Sequence, residues 1–262
     1  MKVCIVGGGV MGEAILGAAV TDGVIAREAV TVVEKLPARR EHLQATWGVS
    51  VTDDFAAMAG ADLVLLSVKP QEVASVHGTL SPGAVLVSIM AGVTIATLQS
   101  AFGHKAVVRV MPNTPAAVQA GMSAWTGTPE VTPEQRAFVG RLLGVIGREL
   151  YFDDEKKLDM ATAVSGSGPA YVFLFIEALV EGAVAAGLPR AAAEEMVLQT
   201  VLGSAQYALQ SGKSAADLRA QVTSPAGTTA AGLHALESRA FRAAVIECVR
   251  AAHQRAIELG KA

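Results

Sequence analysis

Two stretches of the chain carry residue types whose spacing points to chemistry. The first is Gly7-Gly8-Gly9-Val10-Met11-Gly12, set between the apolar run KVCIV and the segment EAILGAAV. The pattern Gly7-x-Gly9-x-x-Gly12, after a strand and opening a helix, is the one that receives a dinucleotide. Its logic is steric. The first glycine makes a tight turn, the second lets the backbone approach a pyrophosphate, and the third lets helix and strand pack closely. The helix N-terminus then offers unpaired N–H groups and a partial positive charge to the phosphates. The second stretch is Thr223-Ser224-Pro225-Ala226-Gly227-Thr228-Thr229. A helix begins here and runs to Leu236, so hydroxyls and free N–H groups gather at its start, a site suited to a carboxylate. The plain alternative is capping, but one cap needs one hydroxyl, and four lie within these seven residues.

Other positions fall where an open α/β sheet binds ligands, at the C-terminal ends of strands. The second strand ends at Val33 and is followed by Glu34, Lys35, Leu36, Pro37, Ala38, Arg39 and Arg40. An acid at this place accepts from the ribose 2′-OH of NAD, whereas arginines just beyond suit the 2′-phosphate of NADP. This chain has both, and the arginines read equally as a solvated helix face. SVKP (67–70) follows the fourth strand, where Lys69 either contacts a cofactor phosphate or ribose or is a plain surface lysine. MAGV (90–93) follows the fifth. MPNTPAAV (111–118) follows the sixth, where Asn113 either bonds a nicotinamide carboxamide or shapes the cleft floor.

The elements that must position these residues divide the chain in two. KVCIV (2–6), VTVV (30–33), VSV (49–51), ADLVLLSV (61–68), AVLVSI (84–89) and AVVRV (106–110) read as strands. They are continuous apolar runs, as in a parallel sheet covered on both faces. EAILGAAVTDG, PARREHLQATWG, QEVASVHGTL and TIATLQSAFG suit crossover helices between them, which predicts a doubly wound sheet. After about residue 152 the segments 154–164, 169–187, 190–211 and 239–259 carry helical periodicity. Pro169 and Pro189 stand at helix starts, Gly187 and Gly212 at helix ends. The expected organisation is a dinucleotide-binding domain over 1–152 and an all-helical domain over 153–262.

Composition narrows the function. The net charge of −3 and the lack of a basic run argue against nucleic acid or an anionic membrane. The apolar stretch 170–188 resembles a membrane span, but it holds Glu177 and Glu181. Each carboxylate costs about 2.5–3.5 kcal/mol at mid-bilayer, so a buried core helix is the expectation. These glutamates could act as acid–base groups, although at this spacing a structural or solvated role is the commoner one. The two cysteines, Cys4 and Cys248, fit a reducing cytoplasm. The five histidines are scattered without ligand spacing, so no metal site is expected. No nucleophile elbow or P-loop is present.

GGGVMGEAI, SVKP, MPNTP, SGSGPAY (165–171) and above all VTSPAGTTAAGLHALE (222–237) resemble, in order and across the chain, the Δ1-pyrroline-5-carboxylate reductase family. The resemblance implies a Rossmann domain followed by a helical domain that forms a dimer or a larger homo-oligomer. It implies reduction of the cyclic imine 1-pyrroline-5-carboxylate to L-proline by NADPH or NADH, the last step of proline biosynthesis. Gly8, Val10 and Met11 would line the pyrophosphate, with Val68, Lys69, Pro70 and Ala91 further along the cofactor. Ser224, Ala226, Gly227 and Thr228 would hold the substrate carboxylate, and Thr229 would place its hydroxyl at the ring nitrogen. The site can include residues of two chains. Three departures stand out: Val10 replaces the family's frequent asparagine or glutamine, Ala226 replaces a frequent glycine, and Glu34 is not what a strict NADP enzyme would show, which bears on the cofactor preference and not on the reaction. The alanine is a small change unless the position requires a positive φ. Two other readings compete. A β-hydroxyacid dehydrogenase resembles this layout but uses a lysine on a helix of the second domain, and residues 158–212 contain none. A non-catalytic dinucleotide sensor would have no need of the hydroxyl cluster.

Overall fold

The computed structural model describes residues 1–260. Among these, eight strands form one sheet: β1 (Val3–Val6), β2 (Val30–Val33), β3 (Ser50–Thr52), β4 (Leu63–Leu66), β5 (Val85–Ser88), β6 (Val107–Met111), β7 (Gly121–Gly127) and β8 (Gly147–Tyr151). Their order is β3-β2-β1-β4-β5-β6-β7-β8. The first six are parallel, β7 runs antiparallel to β6, and β8 parallel to β7. The order reverses between β1 and β4, the switch point where such sheets open a crevice for ligands.

The apolar runs are continuous because both faces of the sheet are covered. In β1, Val3 and Ile5 join a core with Ile15, Leu16 and Leu43. Cys4 and Val6, pointing the other way, join a second core with Met58, Leu66, Leu86 and Leu98. Burying one such aliphatic side chain contributes about 1.5–3 kcal/mol. Burial also pushes the Cys4 thiol up to about 12, so it serves as an apolar filler.

Four helices flank this sheet: α1 (Val10–Thr21), α2 (Pro37–Trp47), α3 (Ile95–Phe102) and α4 (Pro133–Gly144). Local chemistry sets their ends. Pro37 stands in the first turn of α2, and left-handed Gly48 stops it. Thr94 caps α3 by accepting from the Thr97 N–H. Thr132 and Gln135 form a reciprocal capping box on α4. One expected crossover helix is absent. QEVASVHGTL forms only a short 3-10 turn, Pro70–Ser75. Its valines and the glycine at 78 weaken a helix, and a methyl on Gly78 would press on Met58. Conversely β7, α4 and β8 extend the sheet beyond the six strands that the sequence pattern reveals.

The chain divides into two compact units. One comprises Met1–Ser167 with the end of the chain from Ala252, the other Gly168–Ala251. The first unit also holds α5 (Lys156–Ala161), followed by a π-helical turn, Thr162–Gly166. The second holds α6 (Gly168–Ala185), α7 (Arg190–Ser211), α8 (Ala215–Gln221), α9 (Thr228–Ser238) and most of α10 (Phe241–Leu259). Its own core is small: Val180, Ala193 and Val197, with Ile176, Ala183, Val184 and Val201 against them. The expectation of a buried core helix over 170–188 is therefore corrected. Val172, Phe173, Leu174, Phe175 and Leu179 of α6 are exposed within this chain. The stretch Lys156–Ala185 is long and apolar enough to cross a membrane by length and composition, yet Glu177 and Glu181 both lie open on it.

In the first unit a buried cation joins three elements. Arg109 of β6, 3% exposed, donates to Glu155 Oε1 and Asp159 Oδ1, both at 2.9 Å. Glu155 Oε1 also accepts from the Ile95 N–H at 2.8 Å, at the start of α3. Removing this cation leaves two carboxylates facing one another, so Arg109→Ala should cost about 3 kcal/mol in chemical denaturation. Ser123 of β7 is the contrasting case. Its hydroxyl is buried without a hydrogen-bond partner, and Ser123→Ala should leave the unfolding free energy from the same denaturation unchanged or raise it by up to about 1 kcal/mol.

Candidate active site

The glycine loop turns as its spacing predicts. Gly7 has φ +100°, and its N–H donates to the Val33 carbonyl at 2.8 Å. A methyl on Gly7 would lie 2.9 Å from the Ser67 backbone, and one on Gly12 would overlap the Gly7 carbonyl oxygen. Ser67 holds that same carbonyl by donating its hydroxyl to it. Gly8 is buried beneath Leu43. Gly9 differs: a methyl there would meet nothing within 4 Å. It is the N-cap of α1 and supplies no side-chain cap, so the first-turn N–H groups at Val10 and Met11 open onto free space. Val10 is 80% exposed beside them. The cradle fits the phosphates of a dinucleotide.

Charged groups pack tightly round this loop. Glu34 Oε2 accepts from the Gly8 N–H at 2.9 Å, and Oε1 from the Leu36 N–H at 3.0 Å. Arg39 Nε donates to the Gly8 carbonyl at 2.6 Å, and its guanidinium pairs with Glu13. Arg40 donates to the Glu34 and Lys35 carbonyls at 2.7 and 2.9 Å and pairs with Asp53. The two arginines are thus anchored, and the solvated-face reading does not hold. Glu13 also receives His42 Nε2 at 2.8 Å and Trp47 Nε1 at 3.0 Å. Partial burial pushes the Glu13 carboxyl up. The bonds from Trp47, His42 and Arg39, with the Arg39 charge, outweigh it and hold the carboxyl below its usual range.

The remaining cofactor candidates spread along the strand ends. Glu34, Lys35, Val68 and Lys69 line one cleft of about 380 Å³ with Phe55, Ser67 and Ser75. Lys35 Nζ reaches Ser75 Oγ at 3.2 Å. Lys69 is exposed, and Pro70 opens the 3-10 turn behind it. Ala91 is exposed after β5, where a methyl on the neighbouring Gly92 would lie 3.2 Å from Leu259 of α10. Asn113 is already engaged. Its amide donates to the Ser165 carbonyl at 3.0 Å, and its oxygen accepts from the Met122 N–H at 2.8 Å. It ties β7 to Ser165 in the π-helical turn of the same unit.

The hydroxyl-rich loop lies in the second unit. Gly227 is the N-cap of α9 and offers no side chain. Its N–H donates to the Ser224 carbonyl at 3.1 Å. Thr223 turns back and donates to the Arg219 carbonyl at 2.6 Å. Among the described residues no hydrogen bond engages the hydroxyls of Ser224, Thr228 or Thr229. Ala226 sits at φ +55°, in the left-handed region, so the condition under which alanine is costly is met.

Sequence reasoning passed over Glu13, Trp47 and Ser67 as site residues. Glu13 has the look of an ordinary acid in the first turn of a helix. Ser67 belongs to the quoted SVKP motif, but only the fold brings its hydroxyl to Gly7.

A phosphate cradle at the switch point of a doubly wound sheet marks the chain as a Rossmann-type oxidoreductase of the NAD(P)-dependent class. Comparison with known proteins narrows the class. Residues 155–259 match a family described as pyrroline-5-carboxylate reductase dimerisation. Residues 2–92 match one described as NADP oxidoreductase, coenzyme F420-dependent. The chain is 45% identical to a pyrroline-5-carboxylate reductase of Synechocystis, over 98% of this chain and 97% of that protein. It is 37% identical to that of Escherichia coli, over 99% and 98%. The structure of a pyrroline-5-carboxylate reductase from Coxiella burnetii superposes with a TM-score of 0.91 at 32% identity, covering 100% of this chain and 99% of that one. The Plasmodium falciparum pyrroline carboxylate reductase with NADP bound gives 0.86 at 29%, covering 99% and 98%. The chain belongs to the pyrroline-5-carboxylate reductase family.

A left-handed alanine costs about 1–2 kcal/mol, partly offset by its lower chain entropy relative to glycine. Ala226→Gly should therefore raise stability by about 0.5–1 kcal/mol, read as a higher melting temperature.

Proposed function

We propose that this chain reduces 1-pyrroline-5-carboxylate to L-proline with NADPH or NADH, and that the residues named above divide the work. Residues 1–152 hold the cofactor, and 153–262 hold the substrate and join copies of the chain. The observation that carries the site assignment is the loop Ser224–Thr229: three unengaged hydroxyls and a side-chain-free helix start. Such a start has N–H groups and positive potential for an anion. In this reading Ser224, Gly227 and Thr228 bind the substrate carboxylate, with Ala226 shaping the turn. Thr229 then places its hydroxyl at the ring nitrogen.

When bound, the reduced nicotinamide supplies the hydride that the imine carbon accepts. The chain's own residues orient and stabilise. A protonated cyclic imine is already electron-poor, so the protein needs position and one hydrogen bond more than a strong acid or base. That suits a loop with hydroxyls and no histidine. The α1 start, with Gly8, Gly9, Val10 and Met11, holds the phosphates. Gly7 and Gly12 give the turn and the close packing, while Val68, Lys69, Pro70 and Ala91 border the rest of the cofactor.

The exposed apolar side chains of α6 and α10 support self-association as a dimer or larger ring. Light scattering should accordingly give at least twice the mass of one chain. The free thiols Cys4 and Cys248 suit a cytoplasmic setting. The relatives support this activity over the β-hydroxyacid dehydrogenase and sensor readings.

The test is loss of reduced-nicotinamide absorbance with 1-pyrroline-5-carboxylate, run with NADPH and NADH in parallel. Turnover is expected with at least one; a folded protein that binds cofactor but turns over with neither refutes the reading. Thr229→Ala should lower kcat by about tenfold or more with a smaller change in KM, and Thr229→Ser should restore part of it. An unchanged kcat removes Thr229 from the mechanism.

A further inference from the structure

The placement of charge round the glycine loop carries an inference about cofactor choice, and it rests on the reductase reading above. Three cations follow β2: Lys35, Arg39 and Arg40. Arg40 is committed to the Glu34 and Lys35 carbonyls and to Asp53. Lys35 reaches toward Ser75, across the cleft. Arg39 is the guanidinium nearest the loop, because it and Glu34 bind the same residue: Glu34 takes the Gly8 N–H and Arg39 the Gly8 carbonyl. A 2′-phosphate on an adenosine ribose held at Glu34 would meet Lys35 on one side and Arg39 on the other, and of these two only the guanidinium can pair with it bidentately.

That guanidinium is already paired. Glu13 grips it from the first turn of α1, and Glu13 is itself held by Trp47 and His42. The aromatic anchor is built into the packing. A methyl on Gly17, one turn further along α1, would run into the Trp47 ring at 2.5–2.6 Å, so only a bare backbone there lets Trp47 lie close enough to reach Glu13. Glu13, Glu34, Arg39, Trp47 and Gly17 line a single groove of about 830 Å³ beside Gly9 and Val10.

We propose that Glu13 is a specificity-determining residue: it sequesters Arg39 from the ribose 2′ position, leaves Glu34 to face the ribose, and so tilts the enzyme toward NADH. Glu13 touches neither ribose nor phosphate in this scheme; it acts through Arg39 and is a positioning residue. The pair is partly buried, with side chains 26% and 21% exposed. A 2′-phosphate must then compete with an existing carboxylate instead of meeting a free cation.

The experiment measures Kd for NAD+ and NADP+ by titration calorimetry, and kcat/KM for NADH and NADPH with 1-pyrroline-5-carboxylate. Four proteins are compared: the wild type, Glu13→Gln, Arg39→Ala and the double variant. Glu13→Gln keeps the shape and removes the charge. It should shift the Kd ratio at least about fivefold toward NADP+, and Arg39→Ala should erase that gain in the double variant. In the wild-type background Arg39→Ala should change the ratio less than about twofold, because any effect of freeing the Gly8 carbonyl falls on both cofactors alike. A loss of NADP+ binding tenfold or more in Arg39→Ala alone overturns the proposal, since Arg39 would then already read the phosphate. An unchanged ratio in Glu13→Gln overturns it too. If Glu13→Gln does not fold, Arg39→Ala still decides. Shifted nucleotide ratios without turnover on the imine would leave the inference standing and refute the reductase reading; turnover with unshifted ratios would do the reverse.

Discussion

The near-contact between Gly12 and the Gly7 carbonyl sets the geometry of the cofactor end of the molecule. A side chain at position 12 would overlap that oxygen and push α1 off β1. The Ser67 hydroxyl, from the end of β4, holds the same carbonyl, so two parallel strands and a helix converge on one backbone oxygen. This convergence aims the first turn of α1 at the open space above Gly9. A second bare backbone position, Gly17, lets Trp47 lie against the helix. The helix is thus fixed at two points by the absence of side chains, and the polar cluster round Glu13 follows from that packing.

How much of this was legible in the sequence depended on how each element is covered. β1, β2, β4, β5 and β6 were readable because both faces are buried and every residue in them is apolar or nearly so. β7 reads GMSAWTG and β8 reads GRELY; the first mixes small and polar residues, the second is an exposed edge, and neither has an apolar run to find. The turn at Pro70–Ser75 resembles a helix in composition and lacks the length and propensity to become one. Of the site, the glycine positions were legible because glycine alone meets their steric demand. The partners of Arg39 and Arg40 were not, because ion pairs between residues 26 and 13 apart in sequence leave no periodic trace. The left-handed backbone at Ala226 is not announced by alanine itself; only the family's frequent glycine at that place raised the question.

The apolar helix α6 shows a different limit. Its composition declares that it must be covered, and the expectation of a buried core helix took the cover to come from the same chain. Within one chain the second unit has only three buried apolar residues. A core that small supplies little net stability, and the long apolar sides of α6, α7 and α10 remain open. Membership in a family whose helical region is described by its dimerisation resolves the discrepancy: sequence hydropathy states how much surface is to be buried and is silent on whose surface buries it.

The same separation of composition from arrangement governs the electrostatics. Three cations in six residues after β2 suggest a positive field at the adenosine ribose. In the folded chain one arginine is neutralised by carbonyl dipoles and Asp53, and the other by Glu13, while the carboxylate of Glu34 draws on two backbone N–H groups. A counted charge and an available charge differ by the partners the fold has already supplied, and each such partner must be displaced before a ligand is felt. At the Ser224–Thr229 loop the balance runs the other way. There the sequence holds no formal positive charge, yet the start of α9 and the unengaged hydroxyls leave donors free for an anion. A substrate that carries both a carboxylate and an iminium needs the protein to hold the first and leave the second reactive. In the reading proposed above, the backbone and hydroxyl donors of this loop do so without bringing a second formal charge to the site.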